Sequence, residues 1–500
     1  MRLRFAPSPT GPLHIGGVRT ALYNYLLAKK NNGKFILRIE DTDQNRFVPG
    51  AERYIQEALE WCGIIPDESP FIGGPFGPYR QSERKPLYRE YADQLVNNGY
   101  AYYAFDTPES LDSKRKEDPN FIYGHEVRMH MRNSLALTEA EVQELLANQT
   151  PFVVRLKIPE KEIITFSDLI RGAVSFQGSD LDDKIILKGD GWPTYHLANI
   201  VDDYLMQITH VIRGEEWLSS TPHHILLYKM LGWEDKMPHF AHLPLLLKPS
   251  GKGKLSKRDG QALGIPVFPI DWISNNDHFD GFREKGFLPE AVINFLALLG
   301  WNPGDERELF SLSELIDSFD LKNVGKSGSR FDIEKAKWFN QQYIIHKDPK
   351  ELAKMVLPIL KRHQIDADSQ TAIAFCQLMK ERVSLLEDFW TNGYYFFKPV
   401  ENYDEKMVRK KWSTELRAIF LHYLSLLEEL NAFTAEKIQT LTNEFMELKT
   451  LSPGQVLPVL RLGLAGTMKG PAVFEMMELL GKETVIKRME TALADFDNMF

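Results

Sequence analysis

Residues 4–17, RFAPSPTGPLHIGG, bring a histidine and two adjacent glycines out of a turn rich in proline and glycine. If a helix begins here, its unpaired N–H groups and partial positive charge suit an anionic phosphate. Gly16 and Gly17 lack side chains, so a base or a phosphate could approach the backbone closely. His14 could hydrogen-bond phosphate oxygens and gain charge as it does so; the alternative is that His14 only caps the turn.

Residues 251–260, GKGKLSKRDG, place four cations and one hydroxyl among three glycines. Such a loop is mobile and positive, so it could close over a triphosphate and neutralise charge that develops on departing pyrophosphate. A solvated charged turn is the alternative. The sequence contains no G-x-x-x-x-G-K-[ST] spacing, and no G-x-G-x-x-G follows a predicted strand, so the two common nucleotide-binding loops are excluded.

The predicted secondary structure explains how these segments could meet. A strand over 2–6 and a second β-rich run over 34–39 flank a helix in which Ala21, Leu22 and Tyr25 recur at helical spacing. Strand, helix and strand in this order predict a βαβ unit with a parallel sheet. The ligand site should lie where the carboxyl ends of the strands meet the helix N-terminus.

The pattern changes further along the chain. Short alternating stretches at 152–157, 173–176 and 184–187 predict strands of a mixed α/β insertion. The α/β pattern resumes near Thr194, and nearly everything from about Leu321 onward is predicted to be helical. The predicted fold is therefore a parallel-sheet α/β domain with a mixed insertion, followed by an all-α half.

Composition limits the possible functions. A chain of 500 residues with 43% hydrophobic and 26% charged residues predicts several domains with ordinary cores. The net charge of −9 argues against bulk binding to DNA, although the basic runs 354–362 and 406–412 could each form a local basic face or simply be solvated. Cys62 and Cys376 lie far apart, the start lacks an apolar signal region, and no apolar run reaches membrane-spanning length. We expect a cytoplasmic protein with no membrane partner.

Taken together, the two segments resemble the "HIGH" and "KMSKS" signatures of class I aminoacyl-tRNA synthetases, in the forms HIGG at 14–17 and KLSKR at 254–258. The departures, Gly17 and Arg258, are usual in the glutamyl branch. The chain is similar to glutamyl-tRNA synthetases of the bacterial type in further motifs. These are RFAPSPTG (4–11), LRIEDTD (37–43), PTYHLAN (193–199), VDD (201–203), VIRGEEW (211–217), GQVLPVLR (454–461) and LLGK (479–482).

The resemblance implies ATP as a substrate with Mg²⁺, L-glutamate as the amino acid, and tRNA(Glu) as the partner. It implies catalytic roles for His14, Gly16, Gly17, Lys254, Ser256 and Lys257. It places ATP against Thr10, Gly17, Glu216, Trp217, Leu246 and Lys257. It places glutamate against Arg4, Ala6, Ser8, Glu40, Tyr195, Asn199 and Arg213, with Glu40 on the α-amino group. Arg213 is the preferred partner of the side-chain carboxylate, because burying an anion requires a cation, and Arg46 is the second candidate.

The resemblance also implies a domain order. A Rossmann-type catalytic domain occupies 1–106 and 193–245, interrupted by an insertion at 107–192 that binds the acceptor end of tRNA. A signature-loop and stem-contact domain follows at 246–322, and a helical anticodon-binding region at 323–500 is split into two subdomains near 380. Arg382 and Arg461 are candidates for contacting anticodon bases, or for pinning one helix to another. Residues 262–280 are longer than is usual after the signature loop.

No metal site and no zinc are expected, since residues 102–105 contain no cysteine where some glutamyl enzymes carry a zinc knuckle. His125 and His130 are five apart, and the pairs His223–His224 and His239/His242 have no carboxylate or thiolate set, so they are interpreted as core or surface histidines. A monomer is expected.

Three alternatives remain. A small nucleotidyltransferase is disfavoured by the helical half, and a non-catalytic tRNA-binding relative by the intact loop at 254–258. Within the family, the enzyme could also charge the glutamine tRNA. A fourth, a modified-base glutamyl transferase, is disfavoured because such an enzyme lacks the anticodon half.

Overall fold

The computed structural model describes residues 1–273 and 278–499. The chain divides into two compact units, the first formed by Met1–Phe282 with Val292–Ile333 and the second by Arg283–Ala291 with Glu334–Phe500. Every helix of the described chain is too short or too polar to traverse a lipid bilayer.

The strands of the described chain are β1 (Arg2–Phe5), β2 (Lys34–Leu37), β3 (Ala101–Ala104), β4 (Val153–Leu156), β5 (Ile163–Asp168), β6 (Gly172–Gln177), β7 (Ile185–Leu187), β8 (His210–Gly214), β9 (His239–Leu243), β10 (Leu246–Leu247), β11 (Trp272–Ile273), β12 (His278–Phe279) and β13 (Ser329–Arg330). The helices up to residue 318 are α1 (Ile15–Lys30), α2 (Ala51–Trp61), α3 (Lys85–Asn97), α4 (Pro108–Glu117), α5 (Glu139–Ala147), α6 (Tyr195–Leu205), α7 (Thr221–Met230), α8 (Lys257–Leu263), α9 (Pro289–Leu298) and α10 (Leu312–Ser318).

The remaining helices are α11 (Ile333–His346), α12 (Pro349–Arg362), α13 (Ser369–Met379), α14 (Asp388–Gly393), α15 (Glu405–Lys411), α16 (Glu415–Glu429), α17 (Ala435–Lys449), α18 (Pro453–Ala465), α19 (Val473–Leu480) and α20 (Lys482–Asp497). The prediction of a parallel α/β domain followed by a helical half is confirmed.

The main sheet has the strand order β2-β1-β8-β9-β5-β6. Its strands β2, β1, β8, β9 and β5 are mutually parallel, so their carboxyl ends meet along one edge. After their first residues, β1 (RLRF) and β2 (KFIL) are buried throughout, including Arg4, which suits a sheet covered on both faces. α1 packs on β1, β2 and β8 and directs its N-terminus to the same edge.

The predicted insertion contributes to two sheets. β3, β4 and β7 form a separate three-stranded sheet. β5 and β6 form an antiparallel hairpin, and β5 joins the main sheet beside β9 through the pairing of Asp168 with Phe240. The alternation of buried and exposed residues along β5 is typical of a strand, but it does not indicate which sheet the strand joins. The place of this hairpin in the main sheet was therefore not predicted from the sequence.

The described residues of the segment 262–280 include the end of a helix and a short antiparallel ladder. α8 ends at Gly264 in the left-handed conformation, and β11 pairs with β12 in an antiparallel ladder. Trp272 packs edge-on against Tyr54 of α2, with 5.2 Å between ring centroids. The part of this extended segment at 274–277 lies outside the described residues.

The second unit is built from two groups of buried apolar side chains. One lies between α12, α13 and α14 and includes Val356, Phe375 and Phe389. The other is formed by helices α15 to α20 and includes Phe420 of α16 and Val459 of α18. The four-turn helical pattern predicted around 416–430 corresponds to α16, which buries one face in the second group.

Candidate active site

A cavity of about 990 Å³ lies at the carboxyl ends of β1 and β8, bordered by the segment after β9. All of the predicted site residues of the first unit line it. They are Arg4, Ala6, Ser8, Thr10, His14, Gly16, Gly17, Glu40, Tyr195, Asn199, Arg213, Glu216, Trp217, Leu246, Lys254, Ser256 and Lys257. Residues that are up to 253 positions apart (257 − 4) therefore share one cleft.

His14 both caps α1 and faces the cavity. Its Nδ1 accepts a hydrogen bond from the backbone N–H of Gly16 at 3.1 Å, which satisfies one of the free amides of the first turn. Because Nδ1 accepts, the proton lies on Nε2, which is buried without a hydrogen-bond partner among the described residues. Burial, followed by the charges of Lys257 and Lys254, lowers the pKa of His14 to about 4. His14 is therefore a neutral hydrogen-bond donor in the free protein, rather than the group that gains charge.

The absence of a side chain at Gly17 has a packing reason. A Cβ atom at this position would lie 2.6 Å from Cδ1 of Leu13. At Gly16 a Cβ would be 3.4 Å from Nδ1 of His14, within ordinary contact. A side chain at position 17 would therefore require Leu13 to move, which adds a packing reason for glycine to the approach of a ligand.

The cationic loop is held by a capping box and two ion pairs. Ser256 is the N-cap of α8. Its hydroxyl accepts a hydrogen bond from the backbone N–H of Asp259, and the Asp259 carboxylate accepts one from the backbone N–H of Ser256. Lys248 pairs with Asp259 at 2.8 Å, and Lys254 pairs with Glu216 at 2.7 Å. The loop of the free protein is therefore structured at its C-terminal end and tied to the segment after β8.

Among the loop cations that have no ion pair in the described chain, Lys257 is the one that lines the cavity. It is half-buried, and its Nζ lies 5.8 Å from the centroid of the Phe268 ring. Desolvation lowers the pKa of Lys257. In contrast to Lys248 and Lys254, it has no ion-pair partner in the part of the chain that the structure describes. An uncompensated cation beside His14 suits the negative charge of a polyphosphate.

Arg213 is a second uncompensated cation, and it lies at the end of β8. It is 5% exposed. Its partners are all uncharged: Nε donates to His242 Nε2 at 3.0 Å, and the terminal nitrogens reach Tyr195 Oη at 2.8 Å, Thr221 Oγ1 at 2.8 Å, the Trp217 carbonyl oxygen at 3.3 Å and His224 Nδ1 at 3.3 Å. No carboxylate of residues 1–273 or 278–499 lies within ion-pair distance of it. A buried charge without an acidic partner is costly unless a ligand supplies one.

Arg4, by contrast, is already neutralised. Its Nε donates to Asp203 at 3.0 Å, and Arg38 donates to the same carboxylate at 2.7 Å and to Glu40 at 3.0 Å. Burial favours protonation of Asp203, but Arg4 and Arg38 hold its pKa below the ordinary value. Neither Arg38 nor Asp203 was predicted as a site residue, although Arg38 stands as a charge inside the apolar run 35–39, which is a signal that could have identified it.

Glu40 faces the cavity beside Asn199, whose side-chain amide donates to it at 3.2 Å. Burial raises the pKa of Glu40, and the charges of Arg38 and Arg4 oppose that shift. Arg46 also lines the cavity but pairs with Asp43 at 2.6 Å and is 70% exposed in its side chain. Exposure makes Arg46 a poorer anion receptor than Arg213.

His242 corrects one interpretation made from the sequence. It is a core histidine, as the sequence predicted, but it has one carboxylate neighbour that the sequence did not indicate, because its Nδ1 lies 2.6 Å from Asp168 Oδ2. The partner was missed because Asp168 precedes His242 by 74 positions and comes from the hairpin that joins the main sheet.

Arg382 and Arg461 lie in the second unit. Arg382 is exposed at the end of a 3₁₀ turn after α13, and Arg461 is half-buried in α18. Burial and, less strongly, the charge of Arg382 lower the pKa of Arg461, against the opposing effect of Tyr395. One terminal nitrogen of Arg461 is buried without a hydrogen-bond partner among the described residues, which argues against a purely structural pin.

The fold and the cavity define a class I tRNA synthetase catalytic domain joined to a helical anticodon-binding region. Residues 1–338 match the family of tRNA synthetases class I (E and Q), catalytic domain, and residues 351–493 match the anticodon binding domain family. Glutamate–tRNA ligase of Cytophaga hutchinsonii is 52% identical over 99% of this chain and 97% of its own length, and that of Flavobacterium johnsoniae is 52% identical over 99% of both. The crystal structure of a glutamate tRNA ligase from Elizabethkingia meningosepticum in complex with its amino acid has a TM-score of 0.95 and 50% identity over 99% of both chains. The chain belongs to the glutamate–tRNA ligase family.

Proposed function

We infer that this chain activates L-glutamate with ATP to form glutamyl-adenylate and then transfers glutamate to the terminal adenosine of tRNA(Glu). The observation that carries this conclusion is one cavity with two uncompensated cations, Lys257 on the signature loop and Arg213 at the end of β8. The first suits the phosphates of ATP and the second suits an acidic amino-acid side chain. A neutral amino acid would leave Arg213 buried without an anion.

In the first step, an oxygen of the glutamate α-carboxylate attacks the α-phosphorus of ATP in line, and the bond to pyrophosphate breaks. We assign the Nε2–H of His14 and the ammonium of Lys257 to the charge that develops on the phosphates. Both groups face the cavity and lack a competing partner in the described chain. Since no side chain forms a covalent bond, catalysis rests on positioning and electrostatic stabilisation.

In the second step, a ribose hydroxyl of the terminal adenosine attacks the carbonyl carbon of the adenylate, and AMP leaves.

The capping box of Ser256 fixes the start of α8, and with it the position of Lys257. We assign Lys254 to an exchange between Glu216 in the free protein and a phosphate in the complex, because its ion pair is exposed and weak.

We assign Arg213 to the side-chain carboxylate of glutamate and Glu40 to its α-amino group. Tyr195 supports this because its hydroxyl accepts from Arg213 and can donate onward to a carboxylate. Arg4 is also proposed to contact glutamate, since it lines the cavity while Nε and one terminal nitrogen pair with Asp203. The other proposed contacts are Ala6, Ser8 and Asn199.

We assign ATP to the part of the cavity lined by Thr10, Gly17, Glu216, Trp217, Leu246 and Lys257. Trp217 is 41% exposed and lies 4.4 Å from Tyr195 between ring centroids, so an apolar face is available beside the loop. ATP is proposed to enter as its magnesium complex. Among the described residues, the one cluster with metal-ligand spacing is Asp271, His278 and Asp280, which lies outside this cavity.

For tRNA, we propose that the insertion at 107–192 receives the acceptor end, that 246–322 contacts the stem, and that 323–500 reads the anticodon. A second cavity of about 340 Å³ in the insertion combines aromatic and cationic side chains, as nucleotide binding requires. Its polar and aromatic lining comprises Arg115, Phe121, Tyr123, Arg155, Asp180, Asp182 and Lys184. The two apolar groups of the second unit support a division, but nearer residue 394 than 380, since Phe389 belongs to the first group and Tyr395 to the second. The unpartnered nitrogen supports Arg461, with Arg382, as a base-contacting pair. We propose a cytoplasmic monomer.

Charging of purified tRNA(Glu) and tRNA(Gln) with labelled glutamate tests the function. We expect glutamylation of tRNA(Glu), with ATP consumed in proportion. Charging with glutamine in preference to glutamate would refute the assignment of Arg213. If glutamyl-adenylate forms in the presence of tRNA but no tRNA is charged, the transfer step is refuted. Charging of both tRNAs with glutamate would extend the substrate range to the glutamine tRNA.

A further inference from the structure

Three neighbouring parallel strands place an acid, an imidazole and a guanidinium in a row beneath the cavity. Asp168 ends β5, His242 lies in β9, and Arg213 stands opposite His242 in the register between β8 and β9. Asp168 Oδ2 lies 2.6 Å from His242 Nδ1, and His242 Nε2 lies 3.0 Å from Arg213 Nε. Relative exposure is 2% for Asp168, 0% for His242 and 5% for Arg213.

The protons in this row are fixed by the groups around it. Asp168 Oδ1 accepts hydrogen bonds from the backbone N–H groups of Ile170 at 2.9 Å and Arg171 at 2.8 Å, so this oxygen acts as an acceptor. An arginine remains charged, and its Nε–H can only donate. His242 must therefore donate from Nδ1 to Asp168 and accept at Nε2 from Arg213. Desolvation lowers the pKa of His242 against the opposing effect of Asp168, which agrees with a neutral imidazole.

We propose that Asp168 and His242 are positioning residues that orient Arg213 for the side chain of glutamate without neutralising it. The comparison within the same cavity is Arg4, where a carboxylate contacts the guanidinium directly and offsets its charge. At Arg213 a neutral ring separates the carboxylate from the guanidinium, so the arginine is held at Nε while its charge stays available to a substrate. The proposal rests on the function assigned above to Arg213.

Asp168→Asn is the informative substitution because it preserves size. The two backbone amides retain the side-chain oxygen of the new residue, so its NH₂ group faces Nδ1 of His242. Nδ1 must then accept, and the proton moves to Nε2, where it opposes the Nε–H of Arg213 and can be accepted only by the Thr221 hydroxyl, 3.2 Å away, which already accepts from Arg213. Two donors cannot share this contact, and the guanidinium is expected to turn away from the cavity.

The test is amino-acid-dependent ATP–pyrophosphate exchange in the presence of tRNA(Glu), with glutamate and with glutamine. For Asp168→Asn we expect kcat/KM for glutamate to fall at least tenfold, chiefly through KM, while the KM for ATP stays within twofold. The preference for glutamate over glutamine should fall with it, since glutamine does not require the charge of Arg213. His242→Gln, which retains a donor and an acceptor, should keep more of the preference than His242→Phe, which has neither.

Glu68→Gln is the matched control. Glu68 is also a buried carboxylate of the first unit, but it pairs with Arg2 at the opposite ends of the strands, at 2.6 Å. The proposal would be overturned if Asp168→Asn lowered kcat/KM equally for glutamate and glutamine. Overturning it would also require that this loss follow the loss of stability in urea, as it does in Glu68→Gln. If both Asp168→Asn and Arg213→Gln leave the preference for glutamate over glutamine unchanged, the assignment of Arg213 to the glutamate side chain is wrong. If only Asp168→Asn leaves that preference unchanged, the positioning role of Asp168 and His242 alone is wrong.

Discussion

Substitution of Lys257 by alanine is expected to slow the formation of glutamyl-adenylate by about 10²-fold to 10³-fold. The side chain is half-buried above Phe268, and desolvation is the cause that lowers its pKa. Removing one preorganised group of this kind from a transition state costs about 3 to 4 kcal/mol, and about 1.4 kcal/mol corresponds to a tenfold change in rate. The affinity for glutamate should change less than about threefold, because Lys257 makes no contact with Arg213 or Glu40 and its interaction is strongest in the transition state.

Rapid-quench measurement of a single turnover, with tRNA(Glu) bound and glutamate varied, separates the activation rate from glutamate affinity. Lys252→Ala is the matched control, since Lys252 is an exposed cation of the same loop that does not line the cavity. Lys252→Ala should leave the rate close to that of the parent enzyme. A Lys257→Ala enzyme whose glutamate affinity falls tenfold while its activation rate is maintained would remove Lys257 from the catalytic role.

Arg213→Gln is expected to raise the KM for glutamate about 100-fold, because a desolvated charge-assisted pair contributes about 3 kcal/mol; an unchanged KM in pyrophosphate exchange would move the carboxylate to Arg46. Phe268→Ala should lower the free energy of unfolding in urea by about 3 to 5 kcal/mol, since Phe268 is 1% exposed, and a loss below 1 kcal/mol would contradict its place in the core. The pKa of His14 falls from 6.5 to about 4 on folding, so the unfolded chain binds a proton that the folded chain does not. Stability should therefore decrease as the pH falls from 6.5 toward 4, by about 3 kcal/mol for this group; His14→Gln should reduce that slope in urea unfolding, and an unaltered slope would contradict the shift.

The composition of the cavity was predictable from the sequence because its residues occur in short motifs. Each motif follows a strand or begins a helix, and the parallel arrangement of β1, β8 and β9 brings the ends of these strands together. His14 and Lys257 could be placed in one site from their motifs alone. The helical half was predictable for a similar reason, since helical periodicity extends over several turns in α16.

The pairing of charges within the site was not predictable. Asp203 lies 199 positions from Arg4 and 165 from Arg38, and no local pattern indicates that it contacts both arginines. The cap formed by His14 depends on the dihedral angles at the start of α1, and the need for glycine at position 17 depends on how Leu13 packs beneath it. Such contacts arise from tertiary packing, which outweighs local preference.

The hairpin of β5 and β6 also determines what would follow from excising residues 107–192. Removal would strip β5 from the main sheet and leave β9 as an exposed edge strand, with unpaired backbone groups open to association with other chains. His242 would lose its carboxylate at the same time. The segment that is proposed to hold the end of the tRNA is thus not a separable module. The main sheet needs it to cover the edge of β9, and the amino-acid pocket needs it for the carboxylate that contacts His242.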